Sequence, residues 1–288
     1  MVASAETATS EFLISDEEAV AAAEALVICI PGALTRISMF NAVAGWRVDG
    51  WEPVYYPFPG LDGRALDPPL NIEDAAAEVV AFARRYPSKR ICVIGFSTGG
   101  AIALTAARGL PPSVKVAGMA PALPKAGGWR TGLSIARALS GAAIRARSFA
   151  VKQVWLEYYR VLLFGHSVHR YADTARRSDK ITSARLPNMV FPDRAILRAH
   201  TQDLKRWKGP VDPLPNPRNV RFFTGSEDPV FSPAQTAEFA DLIGVTGISE
   251  YAGHGHLLFL SAAQVFDDIR AFFEAPVPHD DVPTGNSD

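Results

Sequence analysis

The stretch Ile91-Cys92-Val93-Ile94-Gly95-Phe96-Ser97-Thr98-Gly99-Gly100 decides how the rest of the chain is read. Ile91 to Ile94 contain no polar residue, the pattern of a parallel strand covered on both faces. Gly95 to Gly99 then read Gly-x-Ser-x-Gly, and Gly99 to Arg108 form an Ala-rich helical run stopped by Gly109. A sharp turn from strand to helix pushes a serine hydroxyl clear of the backbone. Side chains two positions either side of Ser97 would collide in such a turn, so glycine at 95 and 99 removes the clash. Gly100 lets the helix approach the sheet, and the helix N-terminus aims free N–H groups at the serine. The five-residue pattern alone is weak; the strand before it and the helix after it make it specific.

Outward from this point, strand and helix alternate. Leu26–Ile30, Glu52–Tyr56, Val114–Met119, Val220–Thr224 and Ile248–Tyr251 read as strands. Arg36–Trp46, Ile72–Arg85, Pro233–Ile243 and Ser261–Phe273 read as helices, with Asn71 capping the second. This order implies an α/β fold, a mostly parallel central sheet flanked by helices. Between Met119 and Val220 the alternation stops. Leu133–Phe164 is helical by composition, and Pro187, Pro192, Pro210, Pro213, Pro215 and Pro217 break up the chain from there to Val220. The expected organisation is a core from 11–121 and 220–274, an inserted helical cap at 122–219, and a disordered tail at 275–288.

The composition is that of a globular protein. Of 288 residues, 48% are hydrophobic and 20% charged, which excludes wholesale disorder, collagen and a heptad rod. The net charge of −1 argues against a nucleic-acid partner. It hides an asymmetry: Leu123–Pro210 carries 17 Lys/Arg against 5 Asp/Glu. One reading is a solvated helical face. The other is a surface for an anionic partner, such as a phospholipid surface, an acyl-CoA, an acidic carrier protein or a carboxylate substrate. Cys29 and Cys92 lie in apolar runs and read as small buried hydrophobes rather than a disulfide. Glu17–Ile30 is too short and too interrupted to span a membrane, and the acidic N-terminus lacks the basic start of a secretory signal. A cytoplasmic location is the resulting expectation.

A serine hydroxyl needs a neighbouring base. Of six histidines, His166, His169, His200 and His279 fall in the cap or tail. His166-x-x-His169 with Asp173 has loose metal-ligand spacing without a supporting cluster, so no metal is expected. His254 and His256 come after the last strand, where α/β folds collect catalytic groups. One of them is the candidate base, and the other a loop hydrogen-bonder or substrate-site residue. An acid must orient the base. Asp228, in the turn after Val220–Thr224, is the candidate, with Glu227 as the alternative. The order Ser97, Asp228, His256 suits this sheet topology. A tetrahedral oxyanion needs preorganised donors. The amide of Thr98 is one, and the Ile30-Pro31-Gly32-Ala33-Leu34 loop favours the amide of Ala33 as the second.

The chain resembles the α/β-hydrolase superfamily over about Leu26–Pro121 and Val220–Phe273. The motifs are Val27-Ile28-Cys29-Ile30-Pro31-Gly32-Ala33, Gly95-Phe96-Ser97-Thr98-Gly99-Gly100, Gly225-Ser226-Glu227-Asp228-Pro229-Val230 and Gly255-His256-Leu257-Leu258-Phe259-Leu260-Ser261. Within the superfamily it looks most like the monoacylglycerol-lipase, lysophospholipase and serine-aminopeptidase group. The resemblance implies Ser97 as nucleophile, Asp228 as acid, His256 as base and Ala33 and Thr98 as oxyanion donors. It prefers His256 to His254 because the family's histidine stands five residues before the position occupied by Ser261. Pro31 stands where the family usually has histidine, and the segment before Leu26 is short for the usual leading hairpin. Phe12–Ser15 offers one strand of it.

The implied chemistry is two-step acyl transfer through an acyl-enzyme, without metal or organic cofactor. The leading expectation is a carboxylic-ester hydrolase of lipase or esterase type. Trp129, Leu133, Phe149, Trp155, Tyr158 and Leu162 of the cap are candidates to line an acyl pocket, or equally to pack cap on body. His254 is a further substrate-site candidate. The alternatives are a thioesterase or acyl-transfer enzyme docked on its acyl-CoA or carrier protein by the basic block, and a non-catalytic ligand-binding protein of the same fold.

Overall fold

The computed structural model describes residues 13–124, 129–147 and 149–276. Among them six strands form one sheet: β1 (Ala25–Ile30), β2 (Trp51–Tyr55), β3 (Arg90–Phe96), β4 (Lys115–Met119), β5 (Val220–Gly225) and β6 (Gly247–Tyr251). The order is β2-β1-β3-β4-β5-β6 and each neighbouring pair is parallel. The early helices are α1 (Glu17–Ala22), α2 (Asn41–Ala44), α3 (Ile72–Arg85) and α4 (Thr98–Ala106). Between β4 and β5 come α5 (Trp129–Ala146), α6 (Val151–Phe164), α7 (Ala172–Arg185) and α8 (Arg194–Thr201). The chain closes with α9 (Pro233–Leu242), α10 (Leu258–Ser261) and α11 (Val265–Glu274).

Burial explains the strand patterns. β1 is buried at every position and β3 at all but its first, because helices cover both sheet faces. One face packs Phe82, Ile102, Phe222 and Phe239 against α3, α4 and α9. The other packs Phe96, Phe164, Phe266 and Phe273 against α6 and α11. β6, an edge strand, alternates in burial. Pro53 is tolerated in β2 because β2 is the other edge. Both cysteines are free and buried, and burial pushes their thiols well up.

α3 runs as the sequence reads, with the Asn71 side chain accepting from the amides of Glu73 (3.0 Å) and Asp74 (3.2 Å). Other elements differ. The expected helix over Arg36–Trp46 is three short turns: α2 between the 3-10 turns Ile37–Phe40 and Gly45–Asp49. No side chain caps its start, and Gly50 in a left-handed conformation (φ 80°) ends it. The expected helix Ser261–Phe273 begins instead at Val265 as α11; Ser261 closes the short α10, which ends at extended backbone at Ala262. The Leu133–Phe164 run divides into α5 and α6. At the leading end a single antiparallel bridge joins Ile14 to Tyr55 on the edge strand. Phe12, the 277–288 part of the expected tail, and His279 lie outside the described residues.

The C-terminal helix is tied to the sheet by a buried cation. Lys115 donates to the carbonyls of Phe272 (2.8 Å), Phe273 and Ala275, neutralising the negative end of α11. Lys115→Met removes these bonds and strands the carbonyls, at a cost of about 1–3 kcal/mol. The expected result is a Tm lower by roughly 2–6 °C in a thermal melt. An unchanged Tm would show that this tie contributes nothing.

Candidate active site

The turn after β3 is built by what cannot fit there. A Cβ on Gly95 would lie 2.3 Å from the Gly99 carbonyl oxygen, and one on Gly99 2.3 Å from the carbonyl oxygens of Ile30 and Pro31. A Cβ on Gly100 would lie 2.7 Å from Pro121. Backbone thus meets backbone on three sides of the turn. Ser97 takes φ 50°, ψ −114°, a sparsely populated conformation costing about 1–3 kcal/mol. Bonds from its amide to Met119 O (3.1 Å) and from the Ala122 amide to its carbonyl (2.8 Å) lock it there.

Three distant side chains meet at this turn. Ser97 Oγ lies 3.1 Å from His256 Nε2, and His256 Nδ1 lies 2.8 Å from Asp228 Oδ2. With the proton on Nδ1 donated to Asp228, Nε2 is free to accept from the serine hydroxyl. The other Asp228 oxygen accepts from the amides of Val230 (2.7 Å) and Phe231 (3.0 Å), so the carboxylate cannot swing. His256 and Asp228 are buried, and the rings of Phe96 and Phe231 flank the imidazole at 5.2 and 5.8 Å. Glu227, the alternative acid, is exposed. His254 is turned away: its Nδ1 lies 3.0 Å from Ser261 Oγ and its ring packs on Phe164.

The loop after β1 completes the rim. A Cβ on Gly32 would lie 2.7 Å from the Phe96 ring and 3.0 Å from Ser97 Cβ, so this loop touches the serine. Among the described residues, the amide of Ala33 has no protein acceptor. Thr98 is the first residue of α4, where a helix amide has no acceptor within the helix. Leu34, the next loop residue, adopts φ 59° and donates its amide to His200 Nδ1 (3.1 Å). His200 Nε2 donates in turn to Pro59 O (2.7 Å). Sequence reasoning assigned His200 no such part; nothing near it in the chain marks a histidine that reaches 166 positions back.

α6 holds the histidine loop. The amides of Gly255 and Leu257, either side of His256, donate to Leu163 O (2.8 Å) and Leu162 O (3.0 Å). A Cβ on Gly255 would lie 2.5 Å from Leu162 O, and one on Gly165 would lie 2.4 Å from Glu227 O. The end of α6 therefore sits against both the Asp228 turn and the His256 loop. Tyr158 is buried on this helix; burial first, and the Asp228 carboxylate second, push its phenol well up. Trp155 packs on Tyr158 at 5.7 Å, and its indole N–H is buried without a partner among the described residues.

Several sequence expectations for the substrate region stand differently. The side chains of Trp129 and Leu133 lie outside the described residues. Phe149 is 91% exposed and so lines no pocket; it comes after the end of α5 and faces solvent. A pocket beside the site is lined by Leu34, Met39, Tyr159, Arg185, Met189 and Phe259 among others, and includes neither Trp155, Tyr158 nor His254. His169 approaches Glu157 at 3.8 Å, in a cluster where Arg145 and Arg160 also bond Glu157. Among the described residues, no group of three or more His, Cys, Asp or Glu is placed to hold a metal, and no helix is long and apolar enough to cross a membrane.

Burial holds His200 and His254 below the ordinary histidine value of 6.5, with the charges of Arg64 and Arg177 respectively adding to it. The unfolded chain then takes up protons first as pH falls. The stability from these groups is full above about 6.5 and is lost as pH falls from there through their lowered folded-state values. Tm should accordingly drop between pH 7.5 and 5.5. His200→Gln, whose amide oxygen can still accept from Leu34, should flatten that drop. An equal drop in the variant would contradict it.

Comparison with known proteins agrees with this architecture. Residues 27–269 match the alpha/beta hydrolase family. No curated protein matches the chain. Among solved structures it is similar to BpoC of Mycobacterium tuberculosis H37Rv, provisionally named a non-heme bromoperoxidase (TM-score 0.69, 15% identity, 93% of this chain and 96% of that one). It is also similar to a thermophilic esterase from Thermogutta terrifontis (TM-score 0.61, 15% identity, 87% and 89%). A third is the enol-lactonase of Burkholderia xenovorans LB400 (TM-score 0.61, 15% identity, 91% and 94%). At these identities the structural likeness speaks for the fold. The family match covers most of the chain, and the chain belongs to the alpha/beta hydrolase family.

Proposed function

We propose that the protein is a serine hydrolase that cleaves a carboxylic ester through Ser97, His256 and Asp228. The single observation that carries this reading is the run of two hydrogen-bond contacts from Asp228 through His256 to Ser97 Oγ. In the first step Ser97 Oγ attacks the ester carbonyl while His256 Nε2 takes its proton. Asp228 keeps the imidazole in the right tautomer and stabilises the imidazolium. The amides of Ala33 and Thr98 receive the negative oxygen of the tetrahedral intermediate. The intermediate collapses, the alcohol leaves with the proton from His256, and the acyl group remains on Ser97. Water, deprotonated by His256, then attacks the acyl-enzyme and releases the acid.

The segment 122–219 acts in this reading as a cap over the site, and the core is formed by 11–121 and 220–274. Trp129, Trp155, Tyr158 and His254 are the cap-side and loop residues assigned to substrate contact. The narrower likeness to monoacylglycerol lipases and lysophospholipases rests on the motifs alone. A second reading, a thioesterase or acyl-transfer enzyme working on an acyl-CoA or acyl carrier protein, is favoured by the exposed cations Arg194, Arg198 and Lys205, which gather around one surface groove.

The test is a panel of p-nitrophenyl esters and acyl thioesters of graded chain length. Ester turnover is expected, with Ser97→Ala and His256→Gln each lowering kcat by about 10⁴–10⁶. His254→Gln should cost less than about tenfold, since its imidazole faces Ser261 rather than Ser97. Thioester turnover that exceeds ester turnover and falls steeply with salt would favour the second reading. No turnover of either class by a folded sample would leave a ligand-binding protein.

A further inference from the structure

We propose that the substrate carries a carboxylate, received by Arg185 and the Tyr159 hydroxyl in the pocket beside Ser97; this rests on the ester-hydrolase reading above. The pocket is close to the reacting groups through the chain itself. Leu34 in its wall stands two residues after Gly32, which touches Ser97. Phe259 in its wall stands three residues after His256, and its ring lies 5.1 Å from Phe96, which in turn flanks His256. Leu34 and Phe259 thus join the pocket wall to the two loops that flank Ser97 and carry His256.

The donors in the pocket are unequal. Arg36 also lines it, but its guanidinium is paired with Asp62 at 3.3 Å, and Asp62 further accepts from the Ile37 amide at 2.8 Å. Arg185, in the last turn of α7, has no carboxylate within ion-pair distance among the described residues. Tyr159 likewise has no hydrogen-bond partner for its hydroxyl among the described residues. Both groups line the same pocket; burial pushes the Tyr159 phenol up to about 12, and the Arg185 charge opposes that rise. A fixed cation and a neutral O–H that face one space suit a planar anion with two acceptor oxygens.

Size and lining point the same way. The pocket offers about 50 Å³, room for roughly three to five water-sized groups at about 10–15 Å³ each. That accommodates a carboxylate on a short stem. Met39, Met189, Leu34 and Phe259 supply apolar walls for the stem. Arg185 lines the pocket and is solvent-exposed, so ligand oxygens can reach its guanidinium from outside.

The experiment compares kcat/KM for paired substrates on the full chain. Mono-p-nitrophenyl esters of adipate, pimelate and suberate are set against their methyl-capped diesters, and 3- and 4-carboxyphenyl acetate against their methyl esters. At least one acid should lead its neutral partner by about tenfold, mostly through a lower KM, and the lead should shrink in 0.5 M NaCl. Arg185→Gln should erase the lead, Arg185→Lys should keep part of it, and Arg176→Gln on the same helix should keep all of it. Neutral esters cleaved with no acid lead in any pair, or a lead that survives Arg185→Gln, would overturn this inference alone. No cleavage of any pair, together with no fluorophosphonate adduct on Ser97, would overturn the ester-hydrolase reading and this inference with it.

Discussion

Backbone packed on backbone, with no room for a single methyl group, is the constraint from which the site arises. The Gly95 and Gly99 positions each leave a hypothetical Cβ 2.3 Å from a carbonyl oxygen. α4 can therefore start directly against β1 and β3, and the residue between the two glycines is forced into a left-handed conformation with its side chain thrown clear. A strained φ at a non-glycine residue persists only where its surroundings over-determine it. Here they do so through the Met119 and Ala122 bonds to Ser97 and through the Gly32 loop packed on its Cβ. The same close contact brings the β1 loop, with its Ala33 amide, to the serine.

The second requirement is that two loops from the other half of the sheet reach the same point. β5 and β6 end side by side, so the Asp228 turn and the His256 loop share an edge. Neither loop is positioned by the sheet alone. Helix α6 accepts two amides that bracket His256 and presses Gly165 on Glu227. The helices between β4 and β5 thus brace the site: their removal would free the His256 loop and disturb the Asp228 turn together. His200, from the same stretch, ties the Leu34 amide and Pro59 on the opposite side of the serine.

This division explains what was legible in the sequence. Short-range chemistry was: the glycine spacing around Ser97, the unbroken apolar runs of β1 and β3, the Asn71 cap and the placing of histidine and aspartate just after strands. These depend on neighbours within a few positions. The choice between His254 and His256 was left open by position alone and leaned on family likeness; in the structure it is the 3.1 Å contact of His256 with Ser97 that separates them. The helix after residue 36 was read as one run and the last helix as starting at Ser261, because short 3-10 turns and the break at Ala262 leave the hydrophobic pattern intact. The α6 clamp, the His200 tether and the Arg185 pocket join residues tens to hundreds of positions apart. No local pattern marks them. Phe149 shows the converse: an aromatic residue, set between Arg147 and Lys152, that faces water.

An activated nucleophile at Ser97 is the central claim, and covalent labelling tests it most directly. The folded protein is incubated with a fluorophosphonate and examined by intact mass and peptide mapping. One adduct is expected, on the peptide that contains Ser97, and it should be lost when His256 is replaced by glutamine. A folded sample that gains no mass, or gains it at a residue other than Ser97, would contradict the claim.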